Sequence, residues 1–355
     1  MPKFSKYFRL NAGQSELDFV DVNTDLDTPV FVDPFAIEIR SDPWSNRCAE
    51  SIRIFFDEVL SALRSKDNNR ARYLVGQLSE PQETYLGLSS GKPQGRGVGR
   101  FQADLLLKSI RNSEAFKTGD LQDLSELALY VEGVGRDKIS DLTTNLIRGE
   151  LASYTREHCR LLKIPLQNYS GPAIWDSERR EWISREIELP LVNGEPVLLI
   201  PKAIVRRSLS LEAGQFYQKH ILNFLQSEHV DAHGSLTALV RGKRSLAKQE
   251  KGKVKKPTKK ALQEAHPKSS SLILDLTREH PELLDYYKKI ARERREPITI
   301  NEDDTSISRA CVLLGDKLKN IPAGKKHADE YHRLCLHALT TLFYPELPCQ
   351  WRNGI

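Results

Sequence analysis

Three acidic residues and a lysine in the middle of the chain are of the types that assemble a metal-dependent phosphodiesterase site, without the E-x-K spacing. Glu132, Asp137 and Asp141 fall between an apolar run and the start of a helical pattern, and Lys202 follows another apolar run. Carboxylates gathered in this way hold a hard divalent cation, which activates a water and neutralises charge on the scissile phosphate. Helix capping accounts for the same residues: Ser140 or Asp141 would cap the helix, and Asp137 would favour its dipole. A second chemistry is phosphate neutralisation. Arg96 and Arg100 close a glycine-rich stretch, Leu86 to Arg100, that runs into a helix and can offer backbone N–H groups to an anion. Its spacing is neither a Walker A loop nor a dinucleotide fingerprint, and a surface loop accounts for it equally. Lys253, Lys255, Lys256, Lys259 and Lys260 lie in a strongly basic segment, and Arg206 and Arg207 follow Pro201-Lys202. Lysines at that density release counterions from a nucleic acid and give affinity without sequence readout. A solvated linker would have the same composition.

The elements that must position these groups show in the apolar spacing. Residues 1–40 alternate short apolar runs with turn residues, as in Phe19-Val-Asp-Val-Asn23 and Val30-Phe-Val-Asp-Pro-Phe35, which suits strands meeting loops. Ile52, Phe55, Phe56, Val59, Leu60 and Leu63 recur at three and four residues and predict a core-facing helix. Leu127 to Val131 reads as a short buried strand, followed by a single long helix from about Ser140 to Leu162. Trp182 to Lys202 reads as a hairpin turning at Asn193-Gly194, with Val197 to Ile200 as the returning strand. Ser210 is a good N-cap for the helix carrying Phe216, Tyr217, Ile221, Phe224 and Leu225. Shorter helices are expected from Ser271 to about His280, Pro281 to about Arg294 and Ser306 to Leu318.

Charge is unevenly spread. Between Arg241 and Ser270 there are 11 Lys or Arg against two Glu, a local +9, which leaves −4 for the rest of a chain whose net charge is +5. The basic character belongs to one segment, and the surface as a whole is not a polyanion platform. That segment has too few apolar residues for a core of its own and reads as a linker or arm. The 39% apolar and 28% charged fractions are those of a globular protein large enough for more than one core. No apolar run approaches the roughly 18 residues that span a bilayer. The N-terminal residues lack the apolar centre of a signal peptide, so a cytoplasmic protein without a membrane partner is expected. Cys48, Cys159, Cys311, Cys335 and Cys349 are odd in number and contain no C-x-x-C pair, which suits reduced thiols. His327, His332 and His337 recur every five residues. Successive rings therefore diverge by roughly 140° around a helix and share no zinc.

The last 35 residues hold a helical pattern from Gly324 to Tyr344, with Glu330 near its start and an apolar stripe through Tyr331, Leu334, Cys335, Ala338 and Leu342. With Val32-Asp-Pro34, Gly87-Leu-Ser-Ser-Gly91, Gly95-Arg-Gly-Val-Gly99, Gly135-Arg-Asp-Lys-Ile-Ser-Asp141, Asn145 and Leu199-Ile-Pro-Lys202, this helix carries a resemblance. The chain resembles, almost end to end, a family of prokaryotic proteins whose longer members finish in a restriction-endonuclease-like PD-(D/E)xK nuclease domain. They look like parts of mobile-element or phage-defence systems. The resemblance implies that Glu330 is the first catalytic, metal-binding carboxylate of that domain, and that this chain stops before the following Asp and E-x-K. It implies Mg²⁺ or Mn²⁺ in the longer protein and no metal on these 355 residues, which are then inactive as a nuclease.

The expected fold is mixed α/β. A sensor or scaffold domain spans 1–240, a basic linker or DNA-binding arm 241–270, a small helical region 271–323 and the start of a nuclease domain 324–355. The expected function is the nucleic-acid-binding scaffold or sensor of a DNA-targeting anti-phage endonuclease, with RNA as the other polyanion. Lys202, Arg206, Arg207, Arg96, Arg100 and the five lysines of the basic segment are its phosphate contacts. Two rivals stand beside it: a non-enzymatic module that binds an ATPase or SMC-like partner of a defence system, and an intrinsic phosphodiesterase using Asp137 and Asp141. A homodimer is compatible with each.

Overall fold

The computed structural model describes residues 3–10, 14, 16–88, 100–231 and 257–293, together with 318–322, 324, 327, 328, 331, 332 and 335. Over these the protein is mixed α and β, with helices dominant and strands confined to short antiparallel pairs. It forms two compact units, one of residues 1–29, 85–94 and 299–355, the other of 30–84 and 95–298.

In the first unit a short helix α1 (Phe4–Tyr7) packs Phe4 edge-on against Phe19, ring centroids 5.7 Å apart. Residues 19–23, which read as a strand, make no ladder. Instead Asp21 accepts the Ser5 amide and hydroxyl at 2.8 and 2.7 Å and donates its own amide to Gln14 at 2.7 Å. Side-chain partners thus replace the sheet bonds that an alternating pattern leads one to expect. An isolated bridge joins Thr28 to Leu86, and Gly87, at φ +137°, donates to the Thr28 carbonyl at 2.9 Å. No other residue adopts that backbone conformation without strain.

The second unit begins with β1 (Phe31–Val32), α2 (Pro34–Glu38) and α3 (Pro43–Arg64). Asp42 caps α3 by accepting from the Ser45 amide at 2.9 Å, with Pro43 in the first turn. The expected stripe, Ile52 through Leu63, is buried. Phe55 of this face meets Trp175 and Trp182 at 5.0 and 5.8 Å, so α3 is the spine of the core. The helices α4 (Asn68–Gly76), α5 (Arg100–Asn112), α6 (Glu114–Thr118) and α7 (Leu127–Tyr130) follow. The strand expected at 127–131 is therefore helical. Its apolar residues are buried almost continuously, and a fully buried run has no periodicity to separate strand from helix.

The single helix expected over 140–162 is two, α8 (Arg136–Leu146) and α9 (Arg148–Leu161), with Ile147 between them at φ −106° and ψ 11°. The Leu146 carbonyl is taken by the Ser51 hydroxyl at 3.0 Å. A Cβ on Gly149 would lie 3.1 Å from Ile174, so glycine lets the strand that starts at Ile174 approach the start of α9.

Strand pairs come next: β2 (Gln167–Tyr169) with β5 (Ile187–Leu189), β3 (Ile174–Asp176) with β4 (Glu181–Ile183), and β6 (Leu191–Val192) with β7 (Glu195–Pro196). The Asn193-Gly194 turn is present, with both φ values positive, 54° and 86°, as a two-residue hairpin demands. The hairpin is only two residues deep, because Val197 to Ile200 does not return as a strand. The Leu198 amide donates to the Glu83 carbonyl at 2.7 Å and Leu199 to the Thr155 hydroxyl at 3.0 Å. A 3₁₀ turn (Lys202–Ile204) then leads into β8 (Val205–Arg206), which pairs with β1.

The helix expected from Ser210 starts later, as α10 (Ala213–Phe216), continued by a π turn (Tyr217–Ile221) and α11 (Leu222–Asp231). Ser210 is engaged elsewhere, by Asp33. The described end of the basic segment is not a linker. Thr258 caps α12 (Lys259–Ala265), whose Leu262 is fully buried and which packs on α11. One leucine on a neighbour's face is enough to hold a turn or two that could build no core alone. The helices α13 (Ser270–Glu279) and α14 (Pro281–Glu293) match the expectation, whereas the helix expected over 306–318 lies outside the described residues apart from its last one. Cys48, Cys159 and Cys335 are free thiols. Among the described residues no helix is long and apolar enough to cross a membrane.

Candidate nucleic-acid interface

The β1–β8 pair sets Phe31 opposite Arg206 and Val32 opposite Val205. Opposed residues of an antiparallel pair send their side chains to the same face. Val32 and Val205 face the core at 0% exposure, and Phe31 and Arg206 share the other side. The Arg136 guanidinium lies 4.8 Å from the centre of the Phe31 ring, a cation–π contact. Arg136 opens α8, and α8 is fixed to β1 by the Val32 amide, which donates to the Ser140 hydroxyl at 2.9 Å. Ser140, a candidate cap from its position, is thus a tie between helix and strand.

Asp33 fixes the other edge. One carboxylate oxygen caps α2 through the Phe35 amide at 3.1 Å, and the other accepts the Ser210 amide at 2.9 Å. Burial pushes its pKa up, opposed by the Ser210 bonds and by the charge of Arg206. Arg206 is half-buried and donates through Nη1 to the carbonyls of Ala203 and Val205 at 3.1 and 2.7 Å. Burial pulls its guanidinium below the usual arginine range, with Asp33 opposing and Arg40 reinforcing the effect. Lys202 is half-buried at the start of the same turn and Arg207 is exposed just after it. Arg40, Arg136, Lys202, Arg206 and Arg207 therefore surround one short strand pair and its flanking turns.

The same unit also holds a buried polar frame. Arg148, with no exposed surface, pairs with Glu83, which is 4% exposed. Asn145 links Ser79 to α8 through its side chain, accepting the Ser79 amide at 3.3 Å and donating to the Ser79 carbonyl at 2.6 Å. Burial pulls the Arg148 guanidinium down to about 10, which leaves it charged at neutral pH.

The carboxylates expected to bind metal gather no third ligand among the described residues. Asp137 is exposed in the first turn of α8, Asp141 is half-buried one turn on, and Glu132 is exposed and accepts the Ser270 hydroxyl at 3.3 Å. Among the described residues no three Asp, Glu, His or Cys side chains are grouped as a metal ion requires. Lys259 and Lys260 are exposed on α12, where Lys259 donates to the Gln218 carbonyl at 3.0 Å. Arg100 is the first residue of α5, and its side chain lies outside the described residues, as do Arg96, Lys253, Lys255, Lys256 and Glu330 altogether.

Arg40 and Arg136 were not recognisable as site residues from sequence. Arg136 sits inside the Gly135-Arg-Asp137 motif, where it was legible as part of a helix start. Arg40 gave no signal beyond preceding a capping Asp.

No curated protein and no solved structure matches this chain. Residues 9–212, more than half of the chain and including the whole cationic patch, match the family described as a domain of unknown function (DUF8370), and the chain belongs to that family.

Proposed function

We propose that this chain is a nucleic-acid-binding scaffold that holds a phosphate backbone along the β1–β8 edge, as the sensor part of a DNA-targeting defence nuclease. The observation that carries the binding half is the convergence of Arg40, Arg136, Lys202, Arg206 and Arg207 on one strand pair. Arginines positioned by strand pairing and by an aromatic ring are preorganised, so little side-chain entropy is lost when a phosphate arrives. The nuclease and defence half comes from the resemblance to prokaryotic proteins that end in a restriction-endonuclease-like domain. There the metal-dependent cleavage, with Mg²⁺ or Mn²⁺, belongs to the C-terminal domain of the longer proteins and begins with Glu330.

The test is a salt titration of duplex DNA binding, followed by fluorescence anisotropy. Replacing Lys202, Arg206 and Arg207 together with Gln should weaken binding and reduce the slope of log K against log salt by about 0.9 for each phosphate no longer neutralised. Unchanged affinity and slope, in a variant that melts like the parent, would remove the interface. Single-stranded RNA in place of DNA decides which polyanion is preferred.

A further inference from the structure

Between α2, the loop after it and the 3₁₀ turn at Lys202–Ile204 lies a cavity of about 200 Å³. Ala36, Ile39 and Ala203 form its apolar walls, and Arg40, Asp42 and Arg206 its charged ones. The Asp42 carboxylate is already occupied: it accepts the Ser45 amide at 2.9 Å, the Ser45 hydroxyl at 2.8 Å and the Arg40 Nε at 2.8 Å. Arg206 has no such counter-ion. Among the described residues it forms no salt bridge, and its hydrogen bonds to Ala203 and Val205 use Nη1 alone, leaving Nε and Nη2 for whatever enters. The nearest attracting carboxylate, Asp33, is engaged by Phe35 and Ser210. Two guanidiniums thus line one small space, one of them half-buried and without an ionic partner among the described residues. Arg40 is paired with Asp42 at 2.8 Å, so the charge in this space without an ionic partner is that of Arg206, and an anion there would neutralise it.

We propose that this cavity binds the phosphoryl group of a phosphate monoester, clamped between Arg40 and Arg206. The guanidinium fork matches tetrahedral phosphate oxygens, and a net positive site attracts the dianion of a monoester more strongly than the single charge of an internal phosphodiester. The inference rests on the proposed nucleic-acid reading in naming a phosphorylated strand end as the source. Lys202, which opens that turn, and Arg207, which follows β8, are then placed to hold the strand behind its terminal phosphate. A free phosphate compound presents the same chemistry.

The experiment compares two single-stranded oligonucleotides of one sequence, with a 5′-phosphate or a 5′-hydroxyl, and titrates inorganic phosphate against chloride at matched ionic strength. The parent is compared with Arg40→Gln, which alters an exposed side chain, and with Ala203→Leu, which fills the cavity from its wall. The phosphorylated strand should bind about tenfold more tightly than the hydroxyl strand, and either variant should abolish the difference, Ala203→Leu while leaving the hydroxyl strand unchanged. Equal binding of the two strands, with no saturable binding of inorganic phosphate, overturns the cavity and leaves the nucleic-acid reading standing. Saturable phosphate binding that both variants abolish, with neither strand bound, supports the cavity with a free compound as its source and removes the nucleic-acid reading. Phosphate binding that survives both variants overturns the proposal.

Discussion

Arg148 and Glu83 show what a single buried pair does here. Both are enclosed, the Arg148 Nε has no hydrogen-bond partner, and the pair joins the 3₁₀ turn at Gln82–Thr84 to the start of α9. Taking either charge away strands the other in the core. Arg148→Met should therefore cost about 3–5 kcal/mol in a urea melt, and adding Glu83→Leu should recover most of that stability. A single variant as stable as the parent would mean that the pair contributes no specific hold. A second residue, Glu38 at the end of α2, is pushed up to about 7 from its ordinary 4.5. Desolvation is the main cause and Asp123 adds to it, Lys288 and Arg292 oppose, and Glu126 adds a little more. The folded state then binds a proton more tightly than the unfolded chain does, so stability falls as pH rises from about 4.5 to about 7. Glu38 is exposed, so water screens the effect, and Glu38→Gln should raise the Tm only slightly relative to the parent at about pH 8 and leave it unchanged at about pH 4. An equal shift at both pH values would place the effect in packing instead of in the proton.

At the scale of elements, α12 depends on one buried side chain. It spans Lys259–Ala265 and buries Leu262 as its one apolar anchor. A helix of this length has little stability of its own. Leu262→Ala should therefore speed amide exchange across 259–265 and leave α3 unaffected, because local opening does not require global unfolding. Exchange at α12 that stays as slow as in the parent would show that the Thr258 cap and the hydrogen bond from Lys259 to Gln218 are sufficient. The same reasoning explains where local signals succeeded. The α3 stripe and the Asn193-Gly194 turn depend on residues a few positions apart, and both appear where expected. The 127–131 run, the 140–162 helix and the 197–200 return were decided by distant partners: burial on all sides, Ser51 with Ile174, and Glu83 with Thr155.

For the whole molecule, charge is partitioned between a continuous basic segment and an assembled patch, and the two can be weighed against each other. Replacing Lys253, Lys255 and Lys256 with Gln should lower the salt slope of DNA binding by about 0.9 for each phosphate released, and the decrease should add to that from the Lys202–Arg207 turn. If removing the segment alone abolishes all binding, the patch is not an interface in its own right. The amino-acid sequence by itself determined the excess of +9 between Arg241 and Ser270, the core face of α3, the tight turn at Asn193-Gly194 and a mixed α and β fold. Each of these follows from composition or from spacing within a few residues. Only the tertiary structure decided that Arg136 and Arg206 flank Phe31, that Arg40 and Arg206 line one cavity, and that Asp137 and Asp141 do not join a third ligand among the described residues. Arg206 reaches Phe31 through strand pairing, Arg136 reaches the same ring through the packing of α8, and Arg40 reaches the shared cavity through the turn after α2. Contacts between segments so far apart in the chain leave no period in the sequence, because what fixes them is the burial of the faces opposite.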